Sequence, residues 1–305
     1  MALPHEPVLY QEIIHALRPI GTGRYVDGTL GAGGHAAGLL SLSEPGGRLL
    51  GLDVDPQALD LARQRLAPFG ERAVLKLGSY TSLPEQMKTL GWKTVDGIVL
   101  DLGASSMQFD TAGRGFSFLA EGPLDMRFDP SNPLSADEIV NRWPEEELAD
   151  LLFEYGEEPA SRRIARAIVQ ARPVSGTREL AALIEKAVGR HSGHHPATQT
   201  FQALRIAVNG ELESLKQVLP AAIQALAPGG RLAVISFHSL EDRIVKETFR
   251  LESRDCICPP RQPVCTCGHK ASIREITRRP LVPTAEEVDR NSRARSAKLR
   301  VAEKL

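Results

Sequence analysis

At 305 residues the chain has room for one large domain or two, and its 42% hydrophobic and 25% charged residues are those of a soluble globular protein, which excludes a peptide-sized module, a fibrous chain and a largely disordered one. A net charge of −1, from 37 basic and 38 acidic residues, gives no global positive field, so a nucleic-acid partner would have to be held by local basic patches. No stretch approaches the ~18 consecutive apolar residues of a membrane span, and Met1-Ala2-Leu3-Pro4-His5-Glu6 lacks the basic-then-apolar order of a signal peptide; the expected location is the cytoplasm, with no membrane partner.

From Arg24 onward, short aliphatic runs alternate with helical stretches, the pattern of strand-helix-strand units on a parallel sheet. The runs 24–28, 48–53, 73–77 and 97–101 predict four strands, and Pro56 followed by Ala58, Leu59, Ala62 and Leu66 predicts a helix between the second and third. After Asp101 the rhythm breaks for about 130 residues, until Arg231-Leu232-Ala233-Val234-Ile235-Ser236 predicts a fifth strand. The interval opens with a loop rich in Gly, Ser and Asp. Helical starts then follow at Ser135-Ala136-Asp137-Glu138, at Pro144 and at Thr177. These features predict a mainly helical insertion over residues 106–210, with residues 1–105 and 211–305 forming the α/β domain around it. A helix over 209–227 returns the chain to the sheet and stops at Pro228-Gly229-Gly230, and Ile273–Thr277 with Ser296–Ala302 predict a terminal strand pair.

The turn Asp27-Gly28-Thr29-Leu30-Gly31-Ala32-Gly33-Gly34-His35 joins the first strand to a helix predicted over 36–42, and its glycines allow a tight turn and close approach to a ligand. Asp53 ends the second strand 22 residues after Gly31, where a carboxylate can accept both ribose hydroxyls of an adenosine cofactor. Two cofactor classes share this arrangement, dinucleotides and S-adenosylmethionine. Asp27 beside the turn suits a cationic amino-acid end and would repel a pyrophosphate. There is no Tyr followed four positions later by Lys, no P-loop, no H-E-x-x-H and no G-x-S-x-G.

With Pro7-Val8-Leu9, the turn 27–35, Leu100-Asp101-Leu102-Gly103-Ala104-Ser105-Ser106, Arg114-Gly115-Phe116-Ser117-Phe118, Gly122-Pro123-Leu124-Asp125-Met126-Arg127, His195-Pro196-Ala197-Thr198, 201–206 and Ser236-Phe237-His238-Ser239-Leu240-Glu241-Asp242-Arg243, the chain resembles the bacterial 16S ribosomal RNA cytosine-N4-methyltransferases almost from end to end. The resemblance implies a Rossmann-like class I methyltransferase sheet with an inserted helical substrate-recognition domain. It also implies S-adenosylmethionine as methyl donor, and as substrate the N4 of one cytidine in the decoding centre of 16S rRNA in the small ribosomal subunit. The family's cofactor contacts fall on Gly33, Gly34, His35, Asp53, Tyr80, Asp101 and Gln108, to which the reading of the turn adds Asp27 and Gly31. One departure is Gln199, where family members usually carry Arg after His-Pro-Ala-Thr.

The amino nitrogen of cytosine is a poor nucleophile because its lone pair is delocalised into the ring. A site must hold it in line with the S-methyl bond and offer acceptors to its hydrogens. Asp101, with Ser105 and Ser106, is the expected orienting group, and His238 just past the fifth strand is a further candidate for the cytidine pocket; the alternative roles are cofactor contact for Asp101 and helix capping for the serines. Candidate RNA contacts are Arg114 and Arg127, interleaved with Phe116 and Phe118, together with Arg162, Arg163 and Arg166 in an acid-free run that ends at Arg172. Residues 270–305 add ten basic against five acidic side chains. All four cysteines, Cys256, Cys258, Cys265 and Cys267, lie within twelve residues and are either a zinc knuckle or free thiols in a loop. His191, His194 and His195, with no acid or cysteine beside them in sequence, read as a polar or RNA-facing loop. An oligomeric state does not follow from the sequence. A nicotinamide-dependent oxidoreductase and a non-enzymatic ribosome-assembly factor are the competing functions.

Overall fold

The computed structural model describes residues 7–189, 195–259, 262 and 264–305; the opening hexapeptide, His191 and His194 lie outside the described residues. The chain forms two compact units, one made of residues up to Gly103 together with Leu212–Leu305, the other of Ala104–Glu211.

In the first unit the strands are β1 (Arg24–Asp27), β2 (Arg48–Asp53), β3 (Ala73–Leu77), β4 (Val95–Asp101), β5 (Leu226–Ser236), β6 (Ile273–Glu275) and β7 (Lys298–Lys304). They form one sheet in the order β3-β2-β1-β4-β5-β7-β6, parallel from β3 to β5, with β7 antiparallel to both β5 and β6. The helices of this unit are α1 (Tyr10–Leu17), α2 (Gly34–Leu42), α3 (Pro56–Leu66) and α4 (Leu83–Thr89); those of the second unit are α5 (Ser106–Asp110), α6 (Ala136–Arg142), α7 (Glu145–Gly156), α8 (Ser161–Ala171), α9 (Thr177–Val188) and α10 (Ala197–Asn209). The chain returns through α11 (Glu211–Ala225), followed by α12 (Ser239–Glu252) and α13 (Ala285–Arg290).

The central strands read as continuous aliphatic runs because both faces of the sheet are covered. Successive residues pack into opposite cores: Val26, Leu50, Ile98 and Leu100 meet α4, α11 and α12, while Tyr25, Leu49 and Val99 meet α1, α2 and α3. Carboxylates end three adjacent strands, Asp27 on β1, Asp53 on β2 and Asp101 on β4, so parallel pairing brings them to one edge. This is the Rossmann-like sheet expected from the sequence.

Among the element boundaries that differ from the sequence reading, two have a clear local cause. α2 begins at Gly34, not at residue 36, because Gly33 takes the left-handed conformation (φ +77°) as its N-cap. The returning helix stops at Ala225 rather than Ala227: Leu226 already pairs with Val95, and Pro228-Gly229-Gly230 is an irregularity within β5 opposite Asp96, not a helix stop before it.

The second unit has its own core, in which Phe116, Ile139, Leu152, Ile164, Ile184 and Phe201 are buried together. Ser135 caps α6 by accepting the Glu138 N–H at 3.3 Å. Thr177 lies inside α9 rather than ahead of it; its hydroxyl donates to the Ala120 carbonyl (2.9 Å) and accepts the Gly122 N–H (3.0 Å), tying down the loop before it.

Candidate active site

The turn after β1 is held by internal hydrogen bonds. The N–H groups of Gly28, Leu30 and Gly33 donate to the carbonyls of Val99, Leu52 and Leu30, that of Thr29 donates to Asp27 Oδ1 (3.2 Å), and that of Gly31 to Asp53 Oδ2 (2.7 Å). Five donors that would face a pyrophosphate in a dinucleotide turn are therefore engaged, two of them by carboxylates. The glycines have packing reasons as well. A Cβ at Gly28 would lie 2.5 Å from Leu100 and 3.1 Å from Tyr80, and one at Gly34 would strike the Pro7 ring. Gly31 (φ +52°) alone in the turn combines a left-handed backbone with open space beside it.

The turn places four ionisable side chains at the carboxyl edge. Asp27 is 1% exposed, and burial pushes its carboxyl up to about 7, partly opposed by His35 and the Thr29 N–H. Burial also raises Asp53 to about 6 against the pull of the Asp55 and Gly31 N–H groups. His35, 5% exposed at the start of α2, stacks on Tyr10 with ring centroids 6.2 Å apart, and its Nε2 is 3.6 Å from Asp101 Oδ2. Neither ring nitrogen of His35 has a hydrogen-bond partner, nor does Asp101 Oδ1. Buried polar atoms left this way are uncommon, and here they share one edge of the sheet.

The Asp101 backbone N–H donates to Thr29 Oγ1 at 2.6 Å, which fixes the end of β4 against the turn after β1. Sequence reasoning passed over Thr29 and Tyr10; their only signal was proximity to the turn and to the Pro7-Val8-Leu9 motif. Tyr80 lies in a 3₁₀ turn after β3, packed against Gly28. His238, just past β5, has both ring nitrogens without a hydrogen-bond partner; its Nε2 is 3.2 Å from Glu241 Oε1, while Glu241 Oε2 accepts the Phe237 N–H at 2.9 Å.

In the second unit, Ser105 and Gln108 form a reciprocal capping box on α5: Ser105 Oγ accepts the Gln108 N–H (3.3 Å) and Gln108 Oε1 accepts the Ser105 N–H (2.9 Å). Ser106 is the first residue of that helix. The capping role anticipated for the serines is therefore real for Ser105, and a catalytic role would have to coexist with it.

The arginines divide into two groups. Arg127 grips Asp125 through Nε and Nη2 and donates to the Asn132 carbonyl, while Arg114 donates to the carbonyls of Arg127 and Phe128. Arg172 likewise donates to Val140 and Trp143 at 2.7 Å each. These three organise their own unit from within: Arg114 and Arg127, read in sequence as RNA contacts, and Arg172, at the end of the basic run, all have carbonyl partners inside it. Arg162, Arg163 and Arg166 instead lie on the exposed side of α8, opposite buried Ile164 and Ile168; Arg166 makes an exposed ion pair with Glu145. His195 packs at a tilt against Phe118, with ring centroids 4.6 Å apart, and accepts the Ala197 N–H. Gln199 donates to the Glu157 carbonyl at 3.4 Å. No helix among the described residues is long and apolar enough to cross a membrane.

Comparison with known proteins adds two findings. The family model described as the MraW methylase family matches residues 2–305. Proteins named Ribosomal RNA small subunit methyltransferase H are similar along nearly all of this chain: that of Dehalococcoides mccartyi is 54% identical over 303 residues (99% of this chain, 87% of the relative), that of Lawsonia intracellularis 52% over 309 (99% of each), and that of Heliobacterium mobile 50% over 312 (all of each).

Proposed function

This chain belongs to the MraW methylase family, and on that premise we propose that it methylates the exocyclic N4 of one cytidine in the decoding centre of 16S ribosomal RNA, using S-adenosylmethionine. The names of the relatives supply small-subunit ribosomal RNA as the substrate class. The observation in this chain that carries the choice of donor is the filling of the glycine turn by Asp27 and Asp53, which leaves a carboxylate edge where a dinucleotide would need free N–H groups. An edge of that sign favours a cation.

S-adenosylmethionine, when bound, supplies a methyl group activated on a sulfonium. Asp27 would hold the cationic amino-acid end and Asp53 the ribose hydroxyls, with Gly31, Gly33, Gly34 and Tyr80 shaping the floor. The unpartnered nitrogens of His35 and Oδ1 of Asp101 fit a ligand that brings hydrogen-bonding groups to this edge. Gln108 is retained as a cofactor contact on the strength of the resemblance alone.

Asp101 is the group we assign to the cytosine amine. An acceptor for an amino hydrogen restores lone-pair density to nitrogen, and the proton released as the N–C bond forms passes to a carboxylate, carbonyl or water. Ser105 and Ser106 follow Asp101 by four and five residues and are assigned to orienting the amine with it; His238 is assigned to the pyrimidine edge. The target base must leave its stack to be reached, and Arg162, Arg163 and Arg166 are the phosphate contacts we assign to the second unit as the substrate-recognition domain. A ribosomal RNA substrate supports a cytoplasmic location for the protein.

Mass spectrometry of 16S rRNA fragments from cells with and without the gene tests the assignment. A single N4-methylated cytidine should lose this methyl group in the deletion and regain it with the wild-type gene. Asp101→Asn should restore little of it at saturating cofactor, and full turnover by that variant would remove Asp101 from the reaction. Calorimetry showing NAD bound and S-adenosylmethionine ignored would favour the oxidoreductase instead.

A further inference from the structure

We propose that Cys256, Cys258, Cys265 and Cys267 bind one zinc ion as a structural tetrathiolate site. These are the chain's four cysteines, and none is used by the methyl-transfer reading. They lie in the segment that joins α12 to β6, and their sulfur atoms all fall within 4.8 Å of one another. Cys256 and Cys265 are 3.5 Å apart at Sγ, Cys265 and Cys267 3.6 Å, and Cys256 and Cys267 3.8 Å. A tetrahedron with Zn–S bonds of about 2.3 Å has S···S edges of about 3.8 Å, whereas a disulfide requires about 2.05 Å. The sulfurs stand at the spacing of ligands on a single ion.

The backbone supports the same reading. The two C-x-C arms are related by a reciprocal pair of N–H···S bonds: Ile257, between the first two cysteines, donates to Cys267 Sγ (3.4 Å), and Thr266, between the last two, donates to Cys258 Sγ (3.5 Å). Each arm thus stabilises negative charge on the far sulfur of the other, which suits thiolates sharing a metal better than four neutral thiols. Gly268, directly after the last cysteine, takes φ +63°, the left-handed turn that reverses the chain there. Below the cluster the segment is clamped at its base, where the Ser272 N–H donates to the Glu252 carbonyl (2.8 Å) and Ser272 Oγ to Glu252 Oε2 (2.6 Å). Three of the four cysteines are exposed and few apolar contacts order the arms, so a metal is the means by which such a loop keeps one shape.

Tetrahedral thiolate sites take zinc or iron, and zinc binds such donors more tightly than Fe²⁺. With no open coordination position the ion is structural and takes no part in methyl transfer. The full-length protein, purified under reducing conditions without chelator, should carry about one zinc per chain by elemental analysis. Zinc content should fall at least about tenfold in a Cys256→Ser/Cys265→Ser variant. Cobalt added to wild-type protein stripped of metal should give the intense absorption of tetrahedral cobalt thiolate, a readout that does not require the variant to fold. Reduced wild-type protein that neither holds nor takes up zinc, a variant that keeps zinc, equimolar iron in place of zinc, or two disulfides in the cluster would each overturn the proposal.

Discussion

Asp27→Asn separates the cost of the carboxylate edge from its use. The side chain is 1% exposed, and burial raises its carboxyl from 3.8 to about 7, so the fold favours the protonated form. That contribution to stability is complete below pH 3.8 and is lost as the pH rises through about 7. At 1.36 kcal/mol per pH unit, the gap between the two values makes the ionised group cost the ligand-free protein about 4 kcal/mol, roughly two-thirds of it falling between about pH 5 and pH 8. Asparagine keeps an oxygen for the Thr29 N–H but never ionises. Urea unfolding without ligand should therefore show the variant gaining about 2–3 kcal/mol over wild type when both are moved from about pH 5 to about pH 8. Titration calorimetry with S-adenosylmethionine at the higher pH should show affinity falling about tenfold or more, since the cationic end loses its counter-charge. A stability difference that is the same at both pH values, or full cofactor affinity in the variant, would refute the reasoning.

Further outcomes follow from other parts of the structure. Arg231 grips Glu303 on β7 at 2.7 and 2.9 Å and donates to the Ala16 carbonyl on α1, all largely buried; Arg231→Ala should cost about 3–5 kcal/mol in denaturant unfolding, and a loss under about 1 kcal/mol would show the pair to be dispensable. Gly115 combines φ +71° with a Cβ position that runs into the Pro123 carbonyl, so Gly115→Ala should lower thermal stability by several degrees, where wild-type melting would contradict that geometry. Reversing Arg162, Arg163 and Arg166 to Glu should weaken binding to a small-subunit RNA fragment and flatten its salt dependence by about three phosphate contacts, while S-adenosylmethionine affinity holds; equal loss of both would point to misfolding.

The sequence revealed those features whose physics is local. A carboxylate that ends a parallel strand lies at the carboxyl edge wherever the strand pairs, so Asp27, Asp53 and Asp101 could be chosen from strand ends alone. The contacts that fix these strand ends were hidden, because Gly31 meets the Asp53 carboxylate across 22 residues and Thr29 meets the Asp101 backbone N–H across 72. The same distinction explains the arginines. Arg114, Arg127 and Arg172 look like surface cations in sequence, yet the carbonyls they bind lie 5 to 32 residues away and become neighbours only when the second unit folds. Arg162, Arg163 and Arg166 sit on a helix whose buried stripe of Ile164, Ala165 and Ile168 is itself periodic in sequence, so their outward direction is fixed by helical spacing. Pro228-Gly229-Gly230 misled for the opposite reason: its local signal is a helix stop, but pairing of Leu226 with Val95 had already ended the helix, and the tripeptide serves as a bulge. A positive charge in this chain is thus evidence for RNA contact only where the surrounding apolar pattern dictates that it face outward, and by that criterion α8 is where RNA binding should be sought before the loop between Arg114 and Arg127.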